Sequence, residues 1–229
     1  MRDSFWRNSG LASALSVVVL LGSGMSASAE HHEGLTLPEV IQKMGSAQTG
    51  VDTARFDFNE EQRAAGGFHR RTTGRVYFSR PSHLRVDQKS PERQRLISDG
   101  THFWLYTPAA EQQLTGLWKP WLKQTGFPAP LLGFLGDFPS TQWAQRYTIL
   151  FEGYQDNLYR VLFKPKQADE ATVRLWVSDE TFLPSRGEAI QADSTASVSF
   201  EHLQINIPID PALFDSRAPK GTAVVPMDS

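Results

Sequence analysis

Three places in this 229-residue chain bring together side chains of chemical consequence. His31-His32-Glu33 offers two imidazoles and a carboxylate, donor types that hold zinc. Side chains at i and i+1 diverge, so this triplet is a poor metal site, and no resident metal is expected. Asp99 is a carboxylate, but Gly100 follows it, and Asp-Gly is a strong hairpin signal. Turn building explains Asp99 better than proton transfer does. Arg80 stands before Pro81, between two alternating runs. Its guanidinium presents five donors in a fixed fork and can hold several carbonyl oxygens at once. The plainer reading of Arg80 is a solvated arginine beside a turn proline. The chain has no H-E-x-x-H, no G-x-S-x-G and no phosphate loop. Without a converging catalytic set, the expectation is a protein that is not an enzyme and uses no cofactor.

The elements that must position Arg80 are legible from periodicity. Thr36 and Glu39 make a capping box, Pro38 is tolerated in a first turn, and Gly50 lies past the expected end of a helix. Leu37, Val40, Ile41, Met44 and Ala47 then form one apolar stripe. From Thr53 the period becomes two. Phe56 and Phe58 begin it, and Ala64 to Gly67 form a hairpin tip. Val76 and Phe78, Leu84 and Val86, and Phe103 and Leu105 continue it across further turns. Such spacing predicts an antiparallel meander. These eight apolar positions fit a plain core and a cavity wall equally well.

Lys119 to Gln142 breaks the pattern with four prolines and three glycines. Within it Leu131, Leu132, Phe134 and Leu135 are an apolar cluster that must bury itself somewhere, as a satellite cluster or as a lid. Trp118, Trp121 and Trp143 nearby are candidates for a membrane- or partner-facing rim. Strands resume at Tyr147–Phe151, Leu158–Phe163, Val173–Val177 and Val198–Phe200, and the alternation slips near His202-Leu203, as at a bulge.

The first 29 residues read as a secretory signal peptide. Arg2 and Arg7 are its basic region, Leu11 to Leu21 its apolar run, and Ala27-Ser28-Ala29 its cleavage site. Residues 30–229 then form a single domain, exported to a bacterial periplasm. Cysteine is absent, which excludes disulfides, thiolate metal sites and a lipid-modified cysteine anchor. A soluble, monomeric exported form is expected. The net charge of −2 gives no nucleic-acid footprint.

The order of motifs carries a resemblance. R-V-Y-F-S-R-P-S-H-L-R-V-D from Arg75 and D-G-T-H-F-W-L-Y-T-P from Asp99 lead on to Glu111-Gln112, Lys164-Pro165 and Leu183-Pro184. D-P-A-L-F from Asp210 and P-K-G from Pro219 close the pattern. Together they resemble the periplasmic outer-membrane lipoprotein carrier family, the LolA-like proteins. The resemblance implies an incomplete, strongly curved antiparallel β-barrel with helices and a loop over its open side. It implies that acyl chains of a lipoprotein occupy an apolar cavity lined by the eight positions above. Leu37, Val40, Ile41 and Met44, with Leu131, Leu132, Phe134 and Leu135, would be the cover. Arg80 would contact that lid and control its opening. Leu84 and Val86 stand where relatives carry aromatics, which leaves the identity of the lipid open. The implied partners are an ATP-driven inner-membrane lipoprotein-releasing transporter as donor and an outer-membrane lipoprotein receptor as acceptor. Relatives that carry another lipid or glycolipid, or that sense stray lipoproteins and regulate envelope stress, are the alternative.

Overall fold

Residues 34–125, 142–167 and 170–227 are described by the structure, a computed structural model. The signal peptide, His31, His32, and the cluster Leu131, Leu132, Phe134 and Leu135 lie outside these residues.

The capping box forms as the sequence predicts. Glu39 accepts from the backbone N–H and the hydroxyl of Thr36, both within 2.8 Å, and helix α1 runs Leu37–Thr49. Thereafter the described residues are mostly strand. β1 (Thr53–Ala64) and β2 (Phe68–Ser79) form a long hairpin, followed by β3 (His83–Ser90), β4 (Gln94–Ser98), β5 (His102–Thr107) and β6 (Gln112–Leu117). Among the described residues two short helices follow, α2 (Trp118–Thr125) and α3 (Trp143–Arg146). The second half is β7 (Tyr147–Gln155), β8 (Leu158–Pro165), β9 (Thr172–Ser178), β10 (Pro184–Gln191) and β11 (Ser194–Ile205), with β12 (Ala223–Pro226) last.

All twelve strands form one sheet, in the order β12-β6-β5-β4-β3-β2-β1-β11-β10-β9-β8-β7. Every pairing is antiparallel except β12 with β6. β7 and β12 are its two edges, so the sheet curls without closing. Local chemistry sets the corners. Asp99 accepts from the backbone of Thr101 and His102 at 2.8 and 2.7 Å, and Gly100 takes φ +87°. Asp156 and Asn157, both at positive φ, make a two-residue turn between β7 and β8. The slip near His202 is a bulge: Arg55 pairs with Gln204 but Asp57 with Glu201, and His202 has φ 55°.

Opposite residues on neighbouring antiparallel strands share a face. One row across six strands is wholly apolar: Phe56, Val76, Val86, Leu96, Leu105 and Leu114. This inner face and the helices packed on it make the core. The other face carries paired charges, including Asp57 with Arg75 and Arg174 with Glu152 and Glu188.

Candidate functional site

The eight strand positions singled out in the sequence all join one apolar cluster on the inner face. Phe56, Val76, Phe78, Leu84 and Phe103 are buried, and Phe58, Val86 and Leu105 pack against them half-buried. Gly74 makes room for this wall. A Cβ there would stand 2.5 Å from the Phe58 ring and 2.5 Å from the Asp87 carbonyl oxygen. The aromatic edge of Phe56 meets Phe200 at 5.4 Å. Between Val51, Phe56, Phe200 and Leu203 the face leaves a hollow of about 10 Å³, the least that one water needs. A large group could enter there only by displacing side chains.

Leu37, Val40, Ile41 and Met44 of α1 belong to a second apolar cluster, with Val161 and Phe163 of β8 and Val173, Leu175 and Val177 of β9. The helix thus lies over the far half of the sheet. The strand half of this cluster has no assigned role in the sequence reading, although the alternation of Val173, Leu175 and Val177 is plain. Over the near half lies α2 instead. Trp118 is 3% exposed, and Trp121 stacks on Phe103 with ring centroids 4.9 Å apart. Trp143 is fully buried, edge-on to Phe163 at 5.4 Å. The tryptophans therefore point into the core and do not form a rim. Proline-rich surroundings hide α2 in the sequence, yet Pro120 sits in its first turn, and Trp118, Trp121 and Leu122 keep helical spacing.

Arg80 stands at the β2–β3 corner and reaches across to the end of α1. Its Nε donates to the carbonyl of Val51 at 3.0 Å, and its Nη2 donates to those of Gln48 at 2.9 Å and Thr49 at 3.3 Å. A helix C-terminus leaves carbonyls unpaired and carries partial negative charge. The last turn of α1 has no basic residue of its own, and Arg80 supplies the cation from the sheet. Asn206 adds a second clasp. Its Nδ2 donates to the Gly50 carbonyl at 2.9 Å while its Oδ1 accepts from the Asp52 N–H at 2.9 Å. More than 150 residues separate these partners, so no local sequence signal marks Asn206.

Electrostatics divide the two faces. Outside, Arg75 holds Asp57 in a two-pronged pair at 2.7 and 2.9 Å, with His202 at 3.2 Å, and lowers the Asp57 carboxyl to about 2. Inside, burial raises the pKa of Glu60, with Arg70 opposing the shift. Among the described residues no group of three or more His, Asp or Glu could hold a metal ion, and no helix is long and apolar enough to cross a membrane.

The model of the outer membrane lipoprotein carrier protein LolA matches residues 49–217. The chain belongs to the lipoprotein carrier family. Named outer-membrane lipoprotein carrier proteins match it along most of both lengths. That of Methylococcus capsulatus is 24% identical over 211 residues, covering 92% of this chain and 95% of the relative. That of Azotobacter vinelandii is 26% identical over 210 residues, covering 91% and 97%. In fold, an uncharacterized conserved protein from Thermus thermophilus aligns with TM-score 0.55 at 12% identity, covering 83% of this chain and 98% of that one. MucB aligns with TM-score 0.53 at 14% identity, covering 79% and 62%. The open, curled sheet with few helices is thus a carrier-family fold, and periplasmic lipoprotein transport is the family's field.

Proposed function

We propose that this protein is a periplasmic carrier that takes the acyl chains of lipoproteins onto the inner face of its sheet and moves them from the inner to the outer membrane. The observation that carries the reading is the continuous apolar row from Phe56 to Leu114, on a sheet that never closes, in a chain of the carrier family. A 16-carbon chain costs on the order of 12 kcal/mol to hold in water, so a carrier must offer apolar contact along most of its length. Six strands about 4.8 Å apart give that row a width of roughly 24 Å, the scale of an extended acyl chain.

In this reading residues 30–229 are the working domain, released when the signal peptide is removed near Ala29. Helices α1 and α2 are the cover, and Arg80 is the latch that holds the C-terminal end of α1 to the sheet. The donor is an ATP-driven inner-membrane transporter, the acceptor is an outer-membrane receptor, and the carrier itself performs no chemistry. The test is to purify the protein from its native periplasm and identify co-purifying molecules by mass spectrometry. Triacylated lipoproteins are the expected cargo. A free glycolipid as the sole cargo would replace lipoprotein with another lipid, and a preparation free of acylated molecules would overturn the carrier reading.

A further inference from the structure

The apolar inner face stops abruptly. Beside the row that begins at Phe56 lies a row that begins Phe58, Gly74 and then turns polar: Gln88 faces Gln94, and Thr107 faces Gln112. The Gln94 Nε2 donates to the Thr107 hydroxyl at 3.3 Å, which joins the two pairs into one line. One step further along β1 and β2, Glu60 faces Thr72, and beyond them Gln62 faces Arg70. Strand alternation puts all of these on the same face as Phe56 and Val76. Thr72 is buried, and Glu60, Gln88, Gln94 and Gln112 are half-buried. A polar belt thus borders the apolar wall across six strands, and one of its members, Gln88, also donates through Nε2 to the Glu92 carbonyl at 2.8 Å in the β3–β4 turn. An amphipathic sheet normally places its polar residues on the opposite face.

The belt's chemistry is specific. It is built of amides and hydroxyls, which both donate and accept hydrogen bonds without net charge. Its two charges, Glu60 and Arg70, are diagonal neighbours on paired strands, and Arg70 offsets part of the burial cost of Glu60. A phosphate site would gather arginines or backbone N–H groups around the anion. Here a phosphate would meet one arginine and a carboxylate. Ester carbonyls and peptide groups, by contrast, find matching partners in the second amide N–H and the carbonyl oxygen of Gln88 and Gln94, and in the Gln112 side chain. Among the described residues the Gln112 side chain makes no hydrogen bond.

We propose that this belt seats the uncharged, ester- and amide-bearing head of an acylated peptide while its chains lie on the neighbouring apolar rows, and that it disfavours anionic phospholipid heads. The assignment rests on the carrier reading and adds the basis of its selectivity.

The test measures displacement of a fluorescent fatty acid from the purified protein by three lipids with identical chains. These are an N-acetylated dipalmitoylglyceryl-cysteinyl peptide amide of neutral sequence, dipalmitoyl phosphatidylglycerol, and a dipalmitoylglycerol galactoside. The expected result is at least tenfold preference for the lipopeptide over phosphatidylglycerol. Gln88→Leu with Gln94→Leu should bring that ratio close to one, with phosphatidylglycerol binding changed less than twofold. Circular dichroism checks that the double variant folds. Gln112→Leu alone, as the milder second variant, should lower the ratio about threefold. A ratio unchanged in both variants, or a galactoside that outcompetes the lipopeptide, overturns the belt assignment while leaving the carrier reading intact. Failure of every acylated ligand, the fatty acid included, overturns both.

Discussion

Replacing Arg80 by leucine removes three hydrogen bonds, to the carbonyls of Gln48, Thr49 and Val51, and the cation that the last turn of α1 itself lacks. Hydrogen bonds from a charged donor contribute roughly 1.5–3 kcal/mol each when the acceptor is stranded. Thr49 and Gly50 are exposed, and the Arg80 side chain is itself 35% exposed, so water takes over much of that role. The remainder, with the charge–dipole contribution, comes to about 2 kcal/mol, or a roughly 30-fold larger population with the helix end opened. Hydrogen–deuterium exchange resolves this directly. Amides from Val40 to Gln48 should exchange about 30-fold faster, while those of Val161, Phe163 and Val173 change less than threefold. Arg80→Lys, which supplies a point charge in place of a fork, should fall between. If Arg80 is the latch, an acyl probe should dissociate faster from Arg80→Leu by a similar factor. The reasoning is refuted if α1 exchange is unchanged, or if every strand accelerates equally, since the second result would mean global destabilisation.

Three further outcomes follow from the geometry. Gly74→Ala forces a Cβ to within 2.5 Å of the Asp87 carbonyl and the Phe58 ring, and should lower unfolding stability by about 2–3 kcal/mol in urea with no change in the m-value. Trp118→Ala removes a buried ring from beneath α2 and should cost about 3–5 kcal/mol, read as a lowered melting temperature. Asp57 has its carboxyl lowered from 3.8 to about 2 by Arg75, so its stabilisation is complete above pH 4 and is lost as pH falls through 2. With Arg75 38% exposed, solvent screening leaves about 1 kcal/mol of that effect. Asp57→Asn should therefore show a flatter stability profile between pH 4 and 2 than the parent, and parallel profiles would disprove the coupling.

How much of this is legible in the sequence depends on the range of the interaction. The capping box, the alternation of Phe56, Phe58, Val76 and Phe78, the Asp-Gly corner and the bulge at His202 are written in residues a few positions apart. The structure follows them closely. β10 escapes a reading by period because Pro184–Gln191 has no clean alternation: Gly187 and Ala189 face inward with almost no side chain to mark the face. β12 has four residues and owes its place to parallel pairing with β6, more than 100 residues away. The two-sided clasp on α1 shows the same limit from another angle. Arg80 can be suspected from its turn and its fork of donors, whereas Asn206 acquires meaning only when β11 returns beside β1.

A carrier of lipids has to satisfy its apolar face both with and without cargo, and the division of the inner face bears on how it can. Leu37, Val40, Ile41 and Met44 cover the far half through α1, and Trp118, Trp121 and Leu122 cover the near half through α2. Burial of the four α1 side chains, Val40 and Met44 fully and Leu37 and Ile41 in part, is worth about 6–8 kcal/mol, against roughly 12 kcal/mol for a 16-carbon chain. Exchanging one helix for one chain therefore leaves a surplus of a few kcal/mol, small enough for a receptor with more apolar surface to reverse. Exchanging both helices at once would expose every cover residue before any chain arrived. Two clusters under two separate helices permit a stepwise exchange, in which one half stays closed while the other takes up cargo. In the proposed carrier, Arg80 and Asn206, both bound to the chain at the end of α1, would govern the step that frees α1.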